Sequence, residues 1–317
     1  MLVVFAGLGG QRSAAPSTAS IQLAVLAEGF GLLHGDAGAR RFVEFAPDGT
    51  QRRELSLDLD ADARLVGTRL GAALGWKDGK KVRLAAFDDR GRLTDPSTWG
   101  KSVQRLCDGA ATGDGRFAVG WIEQDGKVWF VHGPMAQAIA FEAPHAADIE
   151  PLRADWCGIA SAEHNIALMW KGKHTYINFC GPRECSSLVA RIQIDARERV
   201  LSFGCLRDSC LVGTRDDRGI SRVHLVTPLG KIAWSRTLAP GDGGALTIVG
   251  AGDRAFLVAA ADGDGSQVLR FETTGKSTPV WQRRGASVPS LAWSRGRLAL
   301  AHAEAGGVRN EFVTVPR

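Results

Sequence analysis

Short apolar runs recur along the chain at a nearly constant interval. The runs ending at Gly35, Trp76, Trp121, Trp170, Thr214, Ala260 and His302 are separated by 41, 45, 49, 44, 46 and 42 residues. A polar turn follows each one, and then a second run in which apolar and polar residues alternate, the period of a strand with one buried face. The segment RELSLDLD places Leu55, Leu57 and Leu59 on one face and Ser56, Asp58 and Asp60 on the other. Asp78-Gly79 and Asp125-Gly126 sit between such runs, where a tight hairpin needs positive φ. No segment keeps apolar residues at i, i+3, i+4 and i+7 over three turns, so helix is not expected.

Four strands at this spacing, seven times over, predict an all-β chain folded as a seven-bladed β-propeller of four-stranded antiparallel blades. In the first repeat the strands are expected at 21–27, 30–35, 41–46 and 53–59. Later repeats begin near residues 65, 152, 200, 246 and 288. The seventh supplies three strands, 288–293, 298–303 and 312–315, which would leave an exposed sheet edge. Residues 2–8 (LVVFAGL) are expected to add the fourth strand and lock the ring. The competing reading is the remnant of a secretory signal, with Ser13-Ala14-Ala15 as a cleavage-site pattern. The organisation is then 1–19 as closing strand and linker or signal remnant, and 20–317 as one propeller.

Composition and charge narrow the function classes. The chain has 317 residues, is 44% hydrophobic and carries a net charge of +5. Its basic residues are scattered and no run of five like charges occurs, which argues against a nucleic-acid partner. No apolar run of 18 residues is present, so no membrane-spanning helix is expected.

Nine Trp stand against one Tyr, and they fall in register with the repeat. Trp76, Trp121 and Trp170 share one position, the end of the second strand. Trp99, Trp234 and Trp281 follow the turn after the third strand, Trp234 in GKIAW and Trp281 in GKSTPVW at Gly-Lys followed by Trp, while Trp99 comes eight residues after Gly91. That pattern resembles the tail of the tryptophan-docking repeat of quinoprotein-like β-propellers. The Ala and Asp that open that repeat are missing, so the resemblance implies Trp wedged between blades and no quinone cofactor. Trp99, in the loop TDPSTWGK, is also a candidate ligand contact.

Six cysteines include two C-x4-C pairs, Cys180/Cys185 and Cys205/Cys210, each flanking a turn. Residues that flank a hairpin turn lie about 5.5 Å apart, a separation that suits a disulfide. Cys107 and Cys157, near the first strands of adjacent repeats, are left as a third pair. A zinc site on the four C-x4-C thiols and free buried thiols are the alternatives. Disulfides would place the protein in the periplasm or outside the cell, and free thiols in the cytoplasm.

Asp58, Asp60 and Asp62 read as D-x-D-x-D, the opening of a Ca2+ loop, yet Ala63 and Arg69 stand where Gly and a bidentate acid belong. The solvent face of a strand produces the same spacing. His34 and His302 fall at or beside one repeat position in blades that meet on closure. No nucleophile elbow, H-E-x-x-H or phosphate loop occurs. The irregular stretch 133–151 contributes Met135, Ile139 and Phe141 as candidate docking residues, or the outer strand of blade three over 138–141. The expectation is a non-catalytic binding or scaffold propeller that meets another protein or a small ligand through its face loops. The alternative is a hydrolase or lyase with its site at the channel mouth.

Overall fold

A computed structural model describes residues 21–59, 62–68, 71–88, 92–112, 116–133, 139–142, 153–162, 165–181, 189–238, 245–305 and 307–315, with 68 and 139–142 by backbone alone. Every described element is a strand, turn or bend. Blade one is β1 (Gln22–Leu26), β2 (Gly29–His34), β3 (Arg40–Phe45) and β4 (Gln51–Leu57). Blade two is β5 (Arg64–Thr68), β6 (Gly71–Asp78), β7 (Lys81–Ala86) and β8 (Ser97–Trp99). Blade three is β9 (Val103–Ala111), β10 (Phe117–Glu123), β11 (Val128–Gly133) and β12 (Ile139–Glu142).

Blade four is β13 (Trp156–Ala162), β14 (Asn165–Lys171), β15 (Thr175–Cys180) and β16 (Ala190–Ile192). Blade five is β17 (Arg199–Cys205), β18 (Cys210–Arg215), β19 (Ser221–Val226) and β20 (Ile232–Thr237). Blade six is β21 (Leu246–Ala251), β22 (Ala255–Asp262), β23 (Gly265–Glu272) and β24 (Ser277–Arg284). Blade seven shows β25 (Ser290–Ser294), β26 (Arg297–Glu304) and β27 (Gly307–Thr314).

Each blade is an antiparallel meander, and the first strands of successive blades are neighbours all the way round, β25 meeting β1. The chain is a seven-bladed β-propeller. Among the described residues six blades have four strands and the seventh has three. The closing strand expected at 2–8 lies outside the described residues.

Strand position within the blade explains strand chemistry. The second strand is covered on both faces by neighbouring blades, and so reads as a nearly unbroken apolar run: FAVGWI in β10, with Glu123 at its end, is buried throughout. The outer strand faces water on one side and alternates, as in β4, QRRELSL. The core is therefore seven slabs, one at each seam between blades. Trp76 packs with Phe42 and Leu74 at the first seam, and Trp121 with Val66 and Leu84 at the second. Trp170 packs with Ile122 and Tyr176 at the third. The last seam is sealed by aromatics, Phe312 lying 5.7 Å from Phe30 and 5.6 Å from Phe45 between ring centroids.

Crowding at the hub dictates small residues. A Cβ on Gly67 would stand 1.7 Å from the Val25 carbonyl oxygen, and one on Gly250 would stand 2.4 Å from that of Cys205. Both are penultimate residues of first strands, where adjacent backbones nearly touch. Side chains tie these strands across seams: Leu23 N–H donates to Ser290 Oγ (3.0 Å), Leu65 N–H to Gln22 Oε1 (2.9 Å) and Ile248 N–H to Ser202 Oγ (3.2 Å).

Candidate functional site

Because the seven first strands run the same way through the ring, they divide it into a proximal face, where they begin, and a distal face, where they turn into the second strands. Between them lies a central channel of about 1290 Å³ lined by all seven first strands. Its wall is mostly small or apolar, with Ala24, Val25, Val66, Ala160 and Ala292 among the lining. The ionisable lining residues are three arginines and three aspartates: Arg64, Arg207 and Arg295, and Asp108, Asp208 and Asp253. Arg64 Nε and Asp108 Oδ1 are 3.6 Å apart toward the proximal side. The other four sit in the distal turns after β17, β21 and β25. Arg295 has φ of 50° beside Gly296 at 83°, the left-handed pair a tight hairpin requires, and is alone among described non-glycine residues in having positive φ.

The turn Leu206–Ser209 at this mouth is clamped by a disulfide between Cys205 and Cys210, whose Cα atoms lie 4.0 Å apart. Cys107 and Cys157 are also bonded, with Cα atoms 5.1 Å apart, and join β9 of blade three to β13 of blade four. Cys180 is disulfide-bonded as well, and Cys185 lies outside the described residues. No cysteine is free among the described residues. A four-thiolate zinc site is excluded, because Cys205 and Cys210 are spent on each other.

The richest acid–base cluster is inside blade five. Glu198, in the connection before β17, accepts from Thr214 Oγ1 (2.6 Å) and His224 Nε2 (3.0 Å) at one oxygen, and from Arg222 (2.8 Å) at the other. Arg222 also donates to Asp216 (3.0 Å), and the Glu198 carbonyl accepts from Lys171. Ser235 Oγ is 2.7 Å from His224 Nδ1. With Thr214 giving its proton to Glu198, the His224 proton belongs on Nε2 and Ser235 donates to Nδ1. Burial lowers the His224 pKa, Arg222 adding to the effect and Glu198 opposing it, so the ring is neutral near pH 7. The carboxylate of Glu198, the Thr214 hydroxyl and both His224 nitrogens are engaged, and the cluster faces blade four, away from the channel.

A second cluster spans the seam between blades six and seven. His302 Nε2 is 3.2 Å from Glu311, and Trp281 Nε1 donates to the same carboxylate (3.1 Å). Arg283 pairs with both Glu304 and Glu311. Burial would raise the Glu311 pKa, but hydrogen bonds from Trp281 and His302 and the Arg283 charge together lower it. The contacts of His302 lie in blades six and seven. His34 in blade one is surrounded by Arg41, Glu54 and Arg40, and the two histidines form no joint site.

Of the sequence-selected binding residues, Trp99 and the backbone of 139 and 141 are described, on the outer strands of two different blades. Trp99 stands on outer strand β8, half-buried beside Val103 and Trp121, with Nε1 donating to Ser97 Oγ (2.9 Å). Trp234 and Trp281 occupy outer strands too, and Trp234 Nε1 docks on the Thr273 carbonyl of the next blade (2.8 Å). Ile139 and Phe141 belong to outer strand β12, while Met135 lies outside the described residues. Asp58 and Asp62 fall in the connection between blades one and two, and Asp60 is outside the described residues. The channel-mouth residues escaped the sequence reading. A Gly one residue before the end of three first strands (Gly67, Gly204, Gly250) would have marked the hub, and the turns just after it the mouth.

No protein-family profile matches the chain, and no curated protein matches its sequence. Solved structures do match. Virginiamycin B lyase from Staphylococcus aureus is similar with a TM-score of 0.58 at 10% identity, over 95% of this chain and 97% of that one. The β-propeller domain of Myceliophteria thermophila Cps50 (Swd1) gives 0.59 at 13% identity, over 95% and 97%. BBS1N in complex with ARL6DN gives 0.59 at 15%, over 96% and 93%. At these identities the likeness is one of fold, which a lyase and a protein complex share without sharing function.

Proposed function

We propose that this protein is an exported, non-catalytic β-propeller that binds another protein or a small ligand at the distal mouth of its channel. The observation carrying this reading is where the chemistry lies. The two acid–base clusters are consumed inside blade walls, while the cavity meets solvent through a rim of mixed charge over a small and apolar wall. Such a rim orients a polar partner, and the clamped turn presents it rigidly. Bonded cysteines support export, since such bonds persist in oxidising compartments. Trp99, half-buried beside Val103 and Trp121, would then serve the rim of the blades as a packing residue.

The test is site-specific photocrosslinking in envelope extract of the source cell, with a photoreactive phenylalanine at position 253 in the mouth and, as control, at exposed position 229. A discrete adduct from 253 alone supports the reading. Equal labelling from both positions removes the mouth as the site. Turnover of an ester, lactone or peptide panel by the purified protein, lost in Asp253→Asn, would establish the hydrolase or lyase alternative.

A further inference from the structure

A second concavity lies on the proximal face, between blades four and five and remote from the channel. It encloses about 490 Å³ and is lined by the turn between β14 and β15 and by the connection that follows β16. Three cationic side chains, Lys171, Lys173 and Arg191, line it together with His174. Elsewhere several arginines of this chain are matched with acids, as in Arg41–Glu54, Arg53–Glu44 and Arg83–Asp78. Here, among the described residues, the side chains of Lys173, His174 and Arg191 have no hydrogen bond or ion pair, while the His174 carbonyl accepts from Gly172 N–H. Lys171 is fixed at the pocket floor by donating to the Glu198 carbonyl.

The single carboxylate in the lining, Asp195, is neutralised by Arg197 at 3.1 Å. Hydrogen bonds from the Arg197 side chain and backbone hold its pKa down to about 2, so it stays ionised and paired. His174 is lowered by desolvation and by the charges of Arg191 and Lys173. The groups facing it are those two cations and, at 6.3 Å between ring centroids, Tyr176. A histidine suppressed by two uncompensated cations marks a place of positive potential.

We propose that this pocket binds a tetrahedral oxyanion, phosphate or sulfate, free or as the terminal group of an ester, with Lys173 and Arg191 as its principal ligands and His174 as a third donor. Unmatched cations converging on a concavity, with a pre-placed ammonium beneath them, fit a compact anion carrying two charges. An arriving anion stabilises the protonated imidazole. For sulfate, whose charge is constant over this range, affinity therefore rises as pH falls from about 7.5 toward 6, because binding takes up a proton.

The test is calorimetric titration of the full-length oxidised protein with orthophosphate, sulfate and phosphoserine at constant ionic strength set with chloride. One saturable site is expected. Phosphoserine binding as well as orthophosphate identifies an ester-bearing ligand, and orthophosphate alone a free ion. Lys173→Glu and Arg191→Glu, both on exposed positions, should each weaken binding by about tenfold or more. Lys231→Glu, an exposed charge in blade five, should leave it unchanged. His174→Gln should keep a site and lose the pH dependence of sulfate binding. No heat beyond the chloride baseline, or equal losses from Lys173→Glu and Lys231→Glu, overturns the proposal. Unaltered melting temperatures for the variants would exclude misfolding as the cause.

Discussion

The first three seams and the later ones meet the same packing demand in opposite ways. At the end of the second strand, blades two to four carry Trp76, Trp121 and Trp170, with Trp121 and Trp170 almost wholly buried. Blades five and seven carry Thr214 and His302 at that place, also wholly buried, and complete them with Glu198, His224 and Glu311. The repeat specifies a volume to be filled against the preceding blade. It does not specify the chemistry that fills it. An indole fills most of that volume by shape and brings one donor, which at Trp121 finds Glu123 Oε1 (3.5 Å) two residues on in the same strand. A hydroxyl or imidazole must bring its partners from other strands.

The comparison is broken most directly at the apolar side. Trp121→Ala should cost about 3–5 kcal/mol in denaturant unfolding, with the same loss at pH 7.5 and 5.5. A loss that varied with pH would show the indole to be coupled to titrating groups. On the polar side, Glu198→Ala should cost about 2–4 kcal/mol, since Arg222 and His224 are left facing an unfilled acceptor site. Comparable figures from the two variants would mean that both solutions are equally committed to the fold.

pH sharpens the contrast. His224 is depressed in the folded state, so the unfolded chain binds the extra proton first. Its contribution is full above the unfolded pKa near 6.5 and is lost as pH falls below that value. Glu311, also depressed, contributes above about 4.5 and loses its share as acid protonates it. Melting curves of the native protein should therefore fall between about pH 7 and 5, and His224→Gln should flatten the upper part of that decline. A flat native profile would remove the polar seam from the account. The smallest effect belongs to the rim. Arg309→Ala, which loses a 3.4 Å pair with Glu304 and is 56% exposed, should shift stability by about 0.5 kcal/mol or less.

The ring itself was legible in the chain, because alternation and turn residues are local signals. The expected strand 41–46 is observed as Arg40–Phe45, and 53–59 as Gln51–Leu57, where a bulge near Phe45 shifts the start. The pairing of Cys205 with Cys210 was legible for the same reason, since the turn brings them together. Residue spacing hid the polar seam: Glu198, Thr214, His224 and Ser235 belong to four different segments and meet only when three strands and a connection are folded. The channel mouth was hidden too. Asp208, Asp253 and Arg295 sit in ordinary turns, and only ring closure turns unrelated hairpins into one rim. The proximal pocket was equally silent, as Lys173 and Arg191 are joined by the return of β16 alongside β15.

The bond between Cys107 and Cys157 has a mechanical meaning as well. A ring under strain opens at its softest seam, and among the described residues six of the seven seams are held by packing and hydrogen bonds. The seam between blades three and four is riveted at the hub, so a tug on the chain or a protease waiting for a gap must find its opening elsewhere. Reduction would turn that rivet into one more ordinary seam. The oxidised molecule thus behaves as five free blades and one double-width plate.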